Sequence, residues 1–107
     1  MLVTVDIGNT NITIGIFDKE DLIGTYRLTT KVRRTSDEYG FMLKNFLDRS
    51  NVHEKQIDSS IVSSVVPKVM HSFTNGIKKF VGIEKTIVKS SLLKNLHLFL
   101  LLYFLNQ

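Results

Sequence analysis

The 107-residue chain has no cysteine and a single proline. The lack of cysteine excludes disulfide bonds and thiolate metal sites, and it fits a reducing cytoplasm. Two glycine-rich nucleotide loops are also missing, since neither a GxxxxGK[ST] Walker A loop nor a GxGxxG dinucleotide fingerprint occurs. We expect no signal peptide, because Asp6 interrupts the first apolar stretch and no basic segment precedes it.

The chain is weakly basic, with a formal net charge of +4, and 43% of its residues are hydrophobic. These values are typical of one small globular domain. The positive charge is scattered and no nucleic-acid motif accompanies it, so we expect no nucleic-acid partner. The longest mostly apolar run, 96–105, is interrupted by His97 and is about half of the roughly 20 residues that a membrane-spanning helix needs. We therefore expect no membrane partner either.

The first thirty residues predict a three-stranded antiparallel meander. Stretches 2–7 and 12–17 are rich in Val, Ile and Thr, and only four residues separate them. A polar turn at 19–21 leads to a third strand at 22–30, in which Gly24 is a candidate for a β-bulge.

A helix is predicted to begin at Thr35, because Thr35 and Glu38 match the capping-box pattern. Five apolar residues then recur at helical spacing and predict one buried face: Tyr39, Met42, Leu43, Phe46 and Leu47.

The second half of the chain predicts a strand-helix-strand unit. Stretch 59–66 is typical of a fourth strand, and Pro67 is well placed to begin a second helix. That helix has an apolar face formed by Val69, Met70, Phe73, Ile77 and Phe80. A short fifth strand is predicted at 85–89. The order β-β-β-α-β-α-β indicates an α/β fold, a mixed sheet flanked by helices.

The turn between the first two strands has two interpretations. Its sequence is DIGNTN, Asp6 to Asn11, at the end of a strand. In one interpretation Asp6 and the Asn side chains only stabilise a polar hairpin turn. In the other, Gly8 allows close approach of the backbone, and the turn amides bind phosphate. A carboxylate repels phosphate, so the second interpretation requires a divalent cation or its water shell beside Asp6.

Other polar residues give weaker indications. Arg27, Arg33 and Arg34 precede the capped helix and could pair with phosphate, with carboxylates or with water. The histidines, His53, His71 and His97, have no metal-ligand spacing, and we interpret them as ordinary residues. No nucleophilic triad is evident.

Three ordered segments resemble the type III pantothenate kinases. DIGNTN resembles the first phosphate motif of that family. YRLTT followed by RTSDEY, within residues 26–39, and IVSSVVP, residues 61–67, resemble its third-strand, first-helix and fourth-strand segments. The resemblance covers about residues 1–90.

The resemblance implies the first half of an actin-like (ribonuclease H-like) kinase, with ATP held in a cleft between two halves. The family phosphorylates pantothenate with ATP, Mg²⁺ and a monovalent cation (K⁺ or NH₄⁺), usually as a cytoplasmic homodimer. Carried over to this sequence, the metal contact would be Asp6, through water. The ATP-phosphate contacts would be Asp6, Ile7, Gly8, Asn9, Thr10, Asn11, Ile12 and Thr13.

The sequence departs from the family after residue 90. The family continues into a Gly-Ala-Asp-Arg segment that carries the catalytic base and a pantothenate contact, and this sequence instead has the Leu-rich stretch 91–107. No catalytic base is assigned here. We hypothesise a truncated or frame-shifted copy, inactive on its own, whose domain at 1–90 is incomplete. A non-enzymatic accessory protein of the family and another actin-like kinase are the alternatives.

Overall fold

A five-stranded mixed sheet forms the centre of the protein. The computed structural model describes residues 1–83 and 85–90, so the tail at 91–107 and His97 lie outside the described residues. The strands are β1 (Leu2–Ile7), β2 (Asn11–Asp18), β3 (Asp21–Thr29), β4 (Ser59–Ser64) and β5 (Lys85–Ser90). The helices are α1 (Ser36–Arg49) and α2 (Pro67–Gly76).

The strand order is β3-β2-β1-β4-β5. Strand β1 pairs with β2 in antiparallel fashion and with β4 in parallel, and β4 is parallel to β5. A parallel pair cannot be joined by a tight hairpin, so α1 and α2 lie in the crossover connections. The predicted meander, mixed sheet and element order are confirmed.

Side-chain alternation in β1 separates the two faces of the sheet. Val3, Val5 and Ile7 belong to one buried cluster with Leu43 of α1 and Phe73 of α2. Leu2, Thr4 and Asp6 point to the opposite face, because successive side chains of a strand alternate. The core shared by the sheet and the helices therefore lies on the face that carries Val3, Val5 and Ile7. Asp6 lies on the opposite face of the sheet.

The predicted capping box opens α1. The Glu38 amide donates to Thr35 Oγ1 at 3.1 Å, and the Thr35 amide donates to Glu38 Oε1 at 2.9 Å. Of the predicted apolar face, Tyr39, Leu43 and Leu47 are buried. Phe46 is half-buried and stacks on Tyr26, with ring centroids 4.5 Å apart.

Three local features refine the sequence predictions. Strand β4 stops at Ser64 rather than at 66, because Ser64 Oγ accepts a hydrogen bond from the Val66 amide at 2.8 Å and turns the chain. Beyond α2, the chain continues as a π-helical turn (Ile77–Val81) that ends at Gly82, whose φ is +74°. The bulge lies beside Gly24: Ile16 pairs with Gly24 but Phe17 pairs with Leu22, so Ile23 is the extra residue.

A candidate phosphate-binding turn at the carboxyl end of β1

The loop between β1 and β2 is a tight turn over residues 8–11. The Gly8 amide donates to the Asn11 carbonyl at 2.9 Å and closes the turn. Asn9, Thr10 and Asn11 are exposed. Among the described residues, the amides of Asn9 and Thr10 donate to no backbone carbonyl. Two backbone donors are therefore available to an anion at the tip of the turn.

Gly8 leaves little space for a side chain, and its backbone is not left-handed. A Cβ atom at this position would lie 3.2 Å from the Asn11 carbonyl oxygen, which is tighter than most real contacts of a Cβ atom. Any larger side chain would push against the bond that closes the turn.

Thr30, just beyond β3, holds the turn from one side. Its amide donates to the Thr10 carbonyl at 2.9 Å, and its hydroxyl donates to the Gly8 carbonyl at 2.9 Å. Thr30 itself is buried. These bonds occupy the carbonyls of Gly8 and Thr10, whereas the amides of Asn9 and Thr10 donate to no backbone carbonyl among the described residues.

Asp6 lies beside the turn in a row of polar residues that crosses the sheet. In register, it is flanked by Thr13 of β2 and Ser63 of β4, and Arg27 of β3 follows Thr13. Residues paired in register share one face of a sheet, so this polar row lies on the face opposite the helices. This polar row lies near the carboxyl ends of β1 and β4, which are parallel strands.

Asp6 is half-buried, and this burial raises the pKa of its carboxyl group above the ordinary value of 3.8. None of the ion pairs among the described residues includes Asp6. A half-buried carboxylate without a cationic partner is a candidate for binding a cation.

The donor set suits magnesium bound largely through a phosphorylated ligand. Within the described part of the chain, no three His, Cys, Asp or Glu residues come close enough to hold a metal ion. Magnesium keeps several waters and commonly binds one or two carboxylates together with substrate phosphates. Asp6 beside a turn with two available amides fits that pattern, and the described residues form no metal cage from protein ligands alone.

The structure divides the predicted phosphate contacts into two groups. Ile7 and Ile12 are fully buried in the core, so only their backbone atoms can face a ligand. The side chains that can reach a ligand at the turn or beside it are those of Asp6, Asn9, Thr10, Asn11 and Thr13.

The predicted arginines do not gather at the turn. Arg27 is exposed on β3 at the end of the polar row. Arg34 donates to the Thr29 carbonyl at 2.7 Å. Arg33 and Arg34 line a cleft of about 430 Å³ together with Lys31 and Lys68. This cleft adjoins the turn through Thr30.

The structure describes two of the three histidines. His53 Nδ1 accepts the Lys55 amide at 3.1 Å as the cap of a short 3₁₀ turn, Glu54–Gln56. His71 is exposed on α2.

Ser63 is a polar residue beside Asp6 that the sequence prediction did not include. Its hydroxyl oxygen is buried and has no hydrogen-bond partner among the described residues, although it lies beside Asp6 in register. Alternation in the stretch SSIVSS indicates that Ser59, Ile61 and Ser63 share a face, but the sequence does not show which strand is the neighbour.

In the described ranges, no helix is both long and apolar enough to cross a membrane.

Comparison with solved structures shows the fold. A ROK hexokinase from Thermus thermophilus aligns with a TM-score of 0.60 at 13% identity, covering 83% of this chain and 34% of that one. A Bacteroides thetaiotaomicron protein with an actin-like ATPase fold aligns at 0.54 and 12% identity, covering 95% and 37%. Thermus thermophilus RuvC, in complex with a Holliday junction, aligns at 0.54 and 11% identity, covering 83% and 63%. The predicted fold class is confirmed.

Comparison of sequences gives higher identities. The chain is 53% identical over 88 residues to the type III pantothenate kinase of Bifidobacterium longum strain DJO10A, and 45% identical over 92 residues to that of Agathobacter rectalis. These matches cover 82% and 86% of this chain but only 34% and 35% of the relatives, so the chain spans about a third of their length. The model of the type III pantothenate kinase family matches residues 2–98, and this chain therefore belongs to that family.

Proposed function

We propose that this chain supplies the first ATP-phosphate site of a kinase that transfers the γ-phosphate of ATP to pantothenate, the first step of coenzyme A synthesis. The observation that carries the proposal is the exposed turn at 8–11, with two available amides beside the half-buried Asp6. The 53% identity to a type III pantothenate kinase supports pantothenate as the acceptor rather than a sugar.

Each part of the site has a chemical role in this proposal. The amides of Asn9 and Thr10 bind phosphate oxygens, and the Thr10 hydroxyl and the Asn11 side-chain amide add neutral donors. Asp6 accepts hydrogen bonds from the waters of a magnesium ion. When bound, magnesium neutralises phosphate charge during transfer. The turn thereby positions the phosphates, which is one of the requirements of phosphoryl transfer.

The remaining machinery lies outside this chain in the proposal. Phosphoryl transfer also needs a group that orients the attacking hydroxyl. We assign the catalytic base, the pantothenate contacts and the monovalent-cation site to no residue here. In the complete enzyme we propose a K⁺- or NH₄⁺-dependent homodimer in the cytoplasm, on the basis of the family.

Magnesium-dependent binding of ATP to the 107-residue chain tests the site. We expect ATP to bind more tightly with Mg²⁺ than with EDTA, and Asp6→Asn to lose most of that difference, because Asp6 is the carboxylate beside the turn. Isothermal titration calorimetry measures both affinities.

Asp18→Asn is the matched control, because Asp18 is an exposed carboxylate at the far end of β2 and carries the same charge change. Equal effects of the two substitutions, or no ATP binding by the wild-type chain, would show that the turn is only a hairpin.

A further inference from the structure

Ser63 carries a hydroxyl group that the fold does not use. Its side chain is fully buried at the penultimate position of β4, and its oxygen finds no hydrogen-bond partner within the described residues. Burial of a hydroxyl group without a partner costs free energy, because the group leaves water and gains nothing in return. A hydroxyl retained at such a cost is a candidate for a contact with a ligand.

The position of Ser63 indicates which ligand this is. Ser63 pairs in register with Asp6 across the parallel β1–β4 ladder, so both side chains lie on the same face at the same level of the sheet. The next residue of β4 has a different task, since the Ser64 hydroxyl binds the backbone of Val66. Of the two serines that end β4, only Ser63 faces the level of the phosphate turn.

Ser59 shows that a lack of partners alone does not define the site. Its hydroxyl is also buried and unpartnered among the described residues, and it lies on the same strand and the same face as Ser63. Ser59 pairs with Leu2, however, four residues from Asp6 along β1. Four strand residues span about 13 Å, which is beyond the reach of a hydroxyl group. The register with Asp6 distinguishes Ser63.

We propose that Ser63 is a positioning residue of the phosphate site. In the structure the Ser63 hydroxyl makes no hydrogen bond with Asp6. When a hydrated divalent cation is bound beside Asp6, the Ser63 O–H would donate to the Asp6 carboxylate, and its oxygen would accept a hydrogen bond from a water on the cation. A hydroxyl can do both at once, because it carries one donor and two lone pairs. The inference rests on the proposed function, since it assumes that Asp6 meets a hydrated cation.

Affinity for ATP in the 107-residue chain, with and without Mg²⁺, tests the inference. We expect Ser63→Ala to weaken binding of Mg–ATP about 3- to 10-fold, the usual value of one hydrogen bond. With EDTA in place of Mg²⁺, the variant should match the wild type, because the contact runs through Asp6 and the cation. Ser59→Ala is the control and should leave both affinities unchanged.

Thermal unfolding separates this role from a structural one. Removal of an unpartnered buried hydroxyl should leave the melting temperature of Ser63→Ala unchanged or raise it. A lower melting temperature would mean that the hydroxyl has a partner within the fold, and it would overturn the inference.

The binding outcomes are also distinct. If Ser63→Ala binds Mg–ATP as tightly as the wild type while Asp6→Asn does not, the role of Ser63 is overturned and the proposed function stands. If Ser63→Ala weakens binding equally with and without Mg²⁺, the contact with a cation-bound water is refuted. If the wild-type chain binds no Mg–ATP, the inference and the proposed function both fail.

Discussion

Asp6 occupies a position at which a carboxylate opposes folding. Its pKa is raised by burial, so the charged form is less favourable in the folded protein than in the unfolded chain. The native state therefore binds more protons in the window that starts near 3.8 and ends at the native pKa. Stability falls as the pH rises through that window, and the loss persists at neutral pH.

Asp6→Asn should accordingly raise the free energy of unfolding at pH 7, because the neutral amide escapes the desolvation of the charge. The gain should shrink as the pH approaches 3.8, where the Asp6 carboxyl group of the wild type becomes protonated in both states. Urea denaturation across this pH range measures the difference. Asp18→Asn, at an exposed position, should give no such pH-dependent gain. A loss of stability in Asp6→Asn at pH 7 would contradict the argument.

Single residues also show how far the sequence could predict the site. The pattern of Asp6 and Gly8 after a strand was enough to locate the turn. Periodicity within one strand, however, does not reveal the register with its neighbours. For that reason the core positions of Ile7 and Ile12, and the place of Ser63 beside Asp6, became evident only once β1 was paired with β2 and β4.

At the scale of elements, α1 depends on its capping box. Thr35→Ala removes the acceptor of the Glu38 amide and leaves a helix-end donor without its partner. We expect a loss of about 1 kcal/mol in the free energy of unfolding, measured by chemical denaturation. Thr35→Ser keeps the hydroxyl and should retain nearly all of the stability. Equal losses in the two variants would argue against the cap as the cause.

The crossing of α1 and α2 depends on two glycines that touch. A Cβ atom on Gly76 would collide with the Ser36 carbonyl oxygen and would lie 2.9 Å from the Gly40 amide nitrogen. Both obstacles are backbone atoms, so neither can move aside without shifting a helix. On Gly40, a Cβ atom would meet the Phe80 ring at 2.5 Å and the Gly76 carbonyl oxygen at 2.9 Å.

Gly76→Ala should therefore destabilise the protein despite its better helix propensity. Propensity alone would add about 1 kcal/mol, whereas overpacking costs about 1–3 kcal/mol and here acts on rigid backbone. We expect a net loss, measured by thermal and chemical denaturation. Asn75→Ala, at the adjacent exposed position, gains propensity without a collision and should be neutral or stabilising. A gain for Gly76→Ala would show that the helices can separate at little cost.

Local signals account for what was predictable in these elements. The capping box and Pro67 mark where α1 and α2 begin, because caps act through neighbours in sequence. The ends were harder to predict: the π-helical turn at Ile77–Val81 and the early end of β4 depend on local geometry that composition does not specify.

At the scale of the whole molecule, the chain covers about a third of its relatives. We expect no phosphorylation of pantothenate by the 107-residue chain alone, because one side of a cleft cannot position phosphates, cation and acceptor together. A chimera in which this chain replaces the matched segment of the B. longum kinase should restore turnover. A coupled assay for ADP measures both.

Two variants make the chimera decisive. Asp6→Asn within the chimera should reduce turnover strongly, whereas Asp18→Asn should not. Phosphorylation of pantothenate by the isolated chain would refute the expectation that the rest of the enzyme is needed. A folded but inactive chimera would instead show that the phosphate site of this chain does not support phosphoryl transfer.

If the turn binds ATP as proposed, the hydrogen bonds from Thr30 should affect how quickly the nucleotide binds. They tie Gly8 and Thr10 to the end of β3 before any ligand arrives. A turn fixed in this way loses little conformational entropy on binding, and no ordering step delays the encounter. The observed rate of ATP association should then rise linearly with ATP concentration. It should not reach the plateau that a slow conformational step would cause.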